Sequence, residues 1–202
     1  MQEKEVIAIY GGSFNPPLNS HFEIAKKVLE DFTLVKELVF VPVNSKYNKE
    51  GLISNEHRYT MLKIISDKLK KVSVSDTELK SNKMPYTIET LEKFKKLYPE
   101  NKIWYILGSD NLKELHTWYK PEELLLESKI IVVQRDNDNI EKIITNNELL
   151  NMYKNNFIKL EIGNVGNISS SYVRYQIKEK HPFKQYMPEE VYNYIKENGL
   201  YV

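Results

Sequence analysis

The stretch VIAIYGGSFNPPLNSH, from Val6 to His21, decides the fold, because an apolar run stops at Gly11-Gly12 and a helical pattern opens beyond the prolines. Val6, Ile7, Ala8, Ile9 and Tyr10 read as a strand buried on both faces, and Ala25, Val28, Leu29 and Phe32 repeat at helical spacing. The turn between them lies at the carboxyl end of a strand, where open α/β sheets bind ligands. Two glycines let a backbone or a phosphate approach where a Cβ would clash, and the unpaired N–H groups of the next helix attract an anion. A plain turn also uses glycines, and His21 at the helix mouth suits a cap or a packed ring as well as a ligand contact. The segment fits neither G-x-G-x-x-G nor G-x-x-x-x-G-K-[ST].

Working outward, Leu38 to Val41, Val72 to Val74, Ile103 to Leu107, Lys129 to Val133 and Phe157 to Ile162 read as further strands. Met61, Leu62, Ile65 and Leu69 form one helical face after a start near Ser54-Asn55, and Ile88, Leu91, Phe94 and Leu97 form another beginning beside Thr87. Pro121 suits the first turn of a short helix. Strands alternating with helices predict a doubly wound, mainly parallel sheet with right-handed crossovers. No repeat or flexible linker interrupts the chain, so residues 1–202 are expected to form one domain. The loosest segment is Asp136 to Asn156, where seven asparagines dilute a weak helical pattern.

The 202 residues suffice for one substantial core. With 29 basic and 28 acidic residues the net charge is +1, which is no footprint for non-specific nucleic-acid or membrane binding. The absence of cysteine excludes disulfides, thiol nucleophiles and zinc-thiolate sites. No apolar run approaches the ~20 residues of a membrane span, and the start MQEKEVIAIY is unlike a signal peptide, so a cytoplasmic location is expected. His57, His116 and His181 share no metal-ligand spacing, so no protein metal site is expected. A homo-oligomer is compatible with the sequence, which sets no oligomeric state.

Four segments carry a resemblance. Gly11 to Pro16 followed by His21 is similar to the nucleotidyltransferase signature G-G-[ST]-F-[DN]-P with [HT]-x-G-H. Pro85 to Leu91 resembles S-Y-T-x-[DE]-T-L, and Leu107 to Leu112 followed by Trp118-Tyr119 resembles a G-x-D segment with a downstream W-Y. Ile168 to Arg174 resembles I-S-S-[ST]-x-[IV]-R, with Met187-Pro188, Val191, Tyr194 and Ile195 similar to the closing helix. In this order they resemble the bacterial nicotinate-mononucleotide adenylyltransferases over nearly the whole chain. Three positions depart from that pattern. Leu18 replaces a histidine or threonine and cannot donate to a phosphate, Ser20 replaces a glycine, and Arg135 lacks the proline and glycine that follow it in R-P-G.

The resemblance implies a Rossmann-like α/β sheet of strand order 3-2-1-4-5 with a small C-terminal helical extension, and ATP and nicotinate mononucleotide as substrates. That order would set Asp110 beside the turn that leads to His21. Adenylyl transfer to a phosphate monoester needs positioning and charge stabilisation rather than a general base. The resemblance assigns catalysis to His21 and Arg174. It assigns ATP binding to Gly11, Gly12, Ser13, Phe14, Asn15, Gly108, Asp110, Ile168, Ser169, Ser170 and Ser171, and a phosphate loop to Lys46 and Lys49. The mononucleotide would meet Asn44, Thr87, Trp118 and Tyr119, with the pyridine carboxylate at the helix start of Thr87, and Mg²⁺ would arrive with ATP.

Several of these residues have a second reading. Ser169 to Ser171 also suit plain helix capping, Asp110 suits a cap of a helix beginning at Asn111, Trp118 suits a core, and Arg174 suits a solvated surface. Other open alternatives are a nucleotidyltransferase for nicotinamide mononucleotide or phosphopantetheine, and a nucleotide-binding module without turnover, which Leu18 favours.

Overall fold

The strands expected from the apolar runs form one parallel sheet, in a computed structural model that describes residues 4–46, 51–135, 137–162 and 168–202. They are β1 (Val6–Gly12), β2 (Val35–Pro42), β3 (Val72–Val74), β4 (Lys102–Gly108), β5 (Lys129–Val133) and β6 (Phe157–Leu160), in the order β3-β2-β1-β4-β5-β6. The 3-2-1-4-5 arrangement holds, with the Phe157 run added at the edge beyond β5. The helices are α1 (Asn19–Asp31), α2 (Asn55–Ser66), α3 (Thr87–Leu97), α4 (Ser109–Glu114), α5 (Pro121–Glu127), α6 (Ile140–Thr145), α7 (Glu148–Met152), α8 (Ser170–Lys178) and α9 (Glu189–Glu197).

Alternation along the strands divides the interior into two layers. Val6, Ala8 and Tyr10 of β1 pack with Leu38, Phe40 and Ile106 against Ala25 and Val28 of α1, Met61 and Ile65 of α2, and Val173 and Val191 of α8 and α9. Ile7 and Ile9 face the other way, with Val39, Ile103 and Val132, toward Leu91 of α3, Leu124 of α5 and Ile144 of α6. Both faces are covered, so the strands are nearly continuous apolar runs.

The asparagine-diluted segment is better ordered than its composition suggests. Asn139 and Asn147 are the N-caps of α6 and α7, accepting from the Lys142 and Leu150 N–H groups at 2.9 and 3.0 Å. Ile140, Ile144 and Leu150 of those helices are buried. Asparagine here starts helices rather than diluting them.

The switch in crossover direction sets the functional cleft. β1 pairs with β2 through Gly12, yet its ladder to β4 ends at Tyr10 opposite Ile106. Gly11-Gly12 and Gly108 therefore part at the carboxyl ends of the two central strands. A crevice at such a switch point is the usual ligand site of an open α/β sheet.

Candidate active site

The cleft between these strand ends has a volume of about 660 Å³ and is lined by the signature turn, the starts of α3, α4 and α8, and the Trp118 loop. Gly11 is needed because a Cβ there would lie 2.5 Å from the Tyr105 hydroxyl oxygen. At Gly108 a Cβ would lie 2.6 Å from Arg135 Nε and against the Asp110 carboxylate, so both side chains would have to move. Phe14 follows the glycines at φ 45°, a left-handed conformation that costs a bulky residue ~1–3 kcal/mol. Its ring offsets that cost by packing edge-on against Tyr10, Phe40 and His21.

His21 is the third residue of α1 and points into the cleft from the helix mouth. Its Nδ1 accepts the Leu18 N–H at 2.8 Å, so the ring proton sits on Nε2. The cap thus uses one ring nitrogen, and the other carries the N–H. Enclosure by Tyr10 and Phe14, and secondarily the Arg135 charge, lowers its pKa from 6.5 to about 3. Unfolded His21 takes up a proton near pH 6.5 and the folded ring resists it, so this residue withdraws stability as pH falls from 6.5 toward 3. Ring ¹⁵N spectra of the free protein are expected to show the Nε2–H form with no protonation between about pH 5 and 8; a midpoint near 6.5 would contradict the enclosed, neutral ring.

Leu18 is 1 % exposed and packs into the core, so position 18 offers the cleft no side-chain donor. Its polar contribution is the backbone N–H that fixes His21. Ser20, the second departure, is buried and lines the cleft.

Across the cleft, Ser169 caps α8 by accepting the Tyr172 N–H at 3.1 Å, and the Ser170 hydroxyl donates to Pro16 O at 2.8 Å. Both therefore cap and anchor, while the helix start with Ile168 and Ser171 still lines the cleft. Arg174 is no freely solvated side chain. Its Nη1 donates to Asn15 O at 2.9 Å and Nη2 to Ser171 Oγ at 3.1 Å, which aims the guanidinium at the cleft.

Asp110 lies in the first turn of α4, whose N-cap is Gly108, so it does not cap a helix at Asn111. Arg135 Nε stands 3.4 Å from its Oδ1. Arg135, whose missing R-P-G context left its placement open, is thus a cleft residue, held by its backbone N–H on Ser109 Oγ at 3.0 Å. At the far end Thr87 begins α3, Trp118 meets Tyr105 edge-on at 6.3 Å, and Tyr119 stacks on Tyr86 at 4.3 Å. Trp118 is half-buried, part core and part cleft wall.

Three residues expected to meet a ligand have side chains bonded elsewhere in the protein. Asn15 is 1 % exposed and turned away from the cleft, with Nδ2 on Gly51 O at 2.7 Å and Oδ1 accepting from Ile53 N–H and the Tyr201 hydroxyl. Asn44 is 3 % exposed and spends its amide on carbonyls of Glu78, Leu79 and Ser81, each at 3.0 Å, joining two loops. Lys46 is exposed, and its Nζ reaches Asn82 O at 2.6 Å instead of the cleft. Lys49 lies outside the described residues. The sequence reading also missed Tyr86, which shares the Pro85 to Leu91 motif, and Glu78, a cleft carboxyl whose pKa burial raises while Thr90 Oγ1 donates to it at 2.7 Å. No signal marked Glu78, since a single acidic residue in a loop is ordinarily solvated. Among the described residues no cluster of His, Asp and Glu could hold a metal ion, and no helix is long and apolar enough to cross a membrane.

Known proteins are similar to this chain in sequence and in fold. Residues 9–176 match the cytidylyltransferase-like family model. The chain is 39 % identical over 197 residues to a probable nicotinate-nucleotide adenylyltransferase of Carboxydothermus hydrogenoformans, covering 96 % of this chain and 97 % of that protein. It is 36 % identical over 198 residues to a protein of the same description from Clostridium acetobutylicum, covering 96 % and 98 %. Among solved structures, the nicotinic acid mononucleotide adenylyltransferase of Plasmodium falciparum complexed with NaAD superposes with a TM-score of 0.81 at 25 % identity, covering 98 % of this chain and 97 % of that one.

Proposed function

The chain belongs to the cytidylyltransferase-like family, and from that premise we infer that its cleft transfers the AMP moiety of ATP to nicotinate mononucleotide, giving deamido-NAD and pyrophosphate in NAD biosynthesis. The observation that carries this reading is the meeting of two phosphate-suited helix mouths, at His21 and at Ser169 to Arg174, with the Thr87 helix start in one cleft. An anionic oxygen of the mononucleotide phosphate forms a bond to the α-phosphorus of ATP as the bond to the bridging oxygen breaks. That oxygen leaves with pyrophosphate, and no proton need be removed from the nucleophile.

The residues therefore position groups and stabilise charge. His21 Nε2–H donates to the α-phosphate, where charge builds in the transition state. Arg174 offers its remaining N–H groups to the β- and γ-phosphates, supported by the amides at the start of α8. Gly11 and Gly12 admit the phosphates to the backbone beside Ser13 and Phe14. Asp110 accepts adenosine ribose hydroxyls, and Arg135 holds that carboxylate in place. The phosphate end of the cleft presents N–H donors and guanidinium groups, which suit the phosphates of ATP; Mg²⁺ arriving with ATP would be held by those phosphates and water. When bound, the ion neutralises charge on the leaving group. The chain acts as one unit, in the cytoplasm, without nucleic acid.

For the second substrate, the amides of Thr87 and Tyr119 bind the pyridine carboxylate, and Trp118 supports the ring. An anion gains ~1.5–3 kcal/mol from charge-assisted bonds, so kcat/KM for nicotinate mononucleotide should exceed that for the amide by about ten- to a hundredfold. Pyrophosphate release with ATP, Mg²⁺ and each mononucleotide tests both claims. Equal rates or a preference for the amide would overturn the pocket assignment, and ATP binding without turnover on any mononucleotide would overturn the reaction.

A further inference from the structure

We infer that Tyr201, remote in sequence from every phosphate motif, is a positioning residue for ATP: its hydroxyl donates to Asn15 Oδ1 at 2.9 Å and so sets the carbonyl that aims Arg174. This rests on the assignment of Arg174 to ATP phosphates. After α9 the chain reverses at Gly199, whose φ of +57° favours glycine, and Leu200 N–H closes the turn on Ile195 O at 3.0 Å. Leu200 is buried, which draws Tyr201 beneath the signature turn. Burial raises the pKa of the phenol, against the opposing charges of Arg174 and Arg58, so it remains a donor at neutral pH.

Asn15 is the transmitting group. Its side chain makes three bonds, to Tyr201, Ile53 and Gly51, and none to the cleft. Its main-chain oxygen receives Arg174 Nη1. Loss of the phenolic hydroxyl leaves Oδ1 with the 3.3 Å Ile53 N–H alone. The Asn15 side chain then anchors its residue less firmly, and the main-chain carbonyl on the same residue, which orients the guanidinium, is held less tightly. Arg174 remains present but less well aimed, a loss that ATP feels and the mononucleotide does not.

Tyr201→Phe keeps the ring and its packing, so it isolates the hydroxyl. Kinetics at a temperature well below both melting points are expected to show kcat/KM for ATP reduced about three- to tenfold, with KM for the mononucleotide within about twofold of the parent. In an Arg174→Ala background the same substitution should change kcat/KM for ATP by less than about twofold, because the route through Arg174 is already lost. A lower melting temperature with ATP kinetics intact would make Tyr201 merely structural and overturn the inference; a full effect in the Arg174→Ala background would overturn the route. If the parent protein shows no turnover, affinity for a non-hydrolysable ATP analogue reads the same comparison, so failure of the proposed reaction is distinguishable from failure of this inference.

Discussion

Replacement of His21 by alanine is expected to lower kcat for adenylyl transfer about a hundredfold or more, the scale for losing one preorganised transition-state donor. The ring is held from both sides. Nδ1 is occupied by the Leu18 N–H, and the ring packs against Phe14 at 5.1 Å and Tyr10 at 6.0 Å between centroids. Its Nε2–H therefore needs no reorientation as charge develops on the α-phosphate. Alanine also leaves the Leu18 N–H without its acceptor, which lowers stability by about 1 kcal/mol, so melting temperature must be recorded beside kcat. A kcat within about threefold of the parent, at a temperature where both proteins are folded, would remove His21 from this role.

Replacement of Arg58 by methionine, a side chain of similar length, is expected to destabilise the fold by about 3–5 kcal/mol. Arg58 is 0 % exposed, and among the described residues no carboxylate accepts its hydrogen bonds. Its guanidinium donates instead to Ile53 O, Ser13 O, Val43 O and Asn55 Oδ1 at 3.2, 3.1, 2.7 and 2.6 Å. One side chain thus ties the signature turn to the loop after β2 and to the start of α2. Burial lowers its pKa to about 10, with the nearby Tyr201 opposing the shift, which leaves the group charged at neutral pH. Methionine fills the space but abandons four half-buried acceptors, each costing ~1 kcal/mol or more when its bond is lost. Lysine cannot serve four acceptors that diverge around a planar fork. Chemical denaturation would measure the loss, and a change below about 1 kcal/mol would show that water or rearranged loops satisfy those carbonyls.

Arg58 also marks where reading the sequence ends. It sits at an ordinary position in an amphipathic helical pattern, and nothing within a few residues announces that it is buried or that Ser13 is its partner. Tyr201 is hidden for the same reason, being 186 residues from Asn15. Asn15 and Asn44 are the complementary case. A polar residue beside a ligand motif was expected to meet the ligand, whereas both amides satisfy loop backbones behind the cleft wall. Arg135 erred in the other direction, since its backbone anchor on Ser109 replaces whatever its missing Pro-Gly context supplied.

By itself the sequence determined the features that depend on neighbours in the chain. Period-2 and period-3.6 apolar patterns, the glycines after Tyr10, and the starts at Ser54, Thr87, Pro121 and Ser169 arise from local sterics and hydrogen bonding. Together they specified an α/β sheet, and they pointed to the Gly11-Gly12 turn, where the structure has its cleft. Only the tertiary structure decided which polar groups reach that site. Each buried N–H, carbonyl or side-chain amide must find a partner once water is excluded, and in this fold Asn15, Asn44 and Arg58 reach Gly51, Leu79 and Ser13, which lie 36, 35 and 45 residues away. The fold thus leaves His21 and Arg174 facing the cleft, His21 fixed by the Leu18 N–H three residues away and Arg174 by the Asn15 carbonyl 159 residues away.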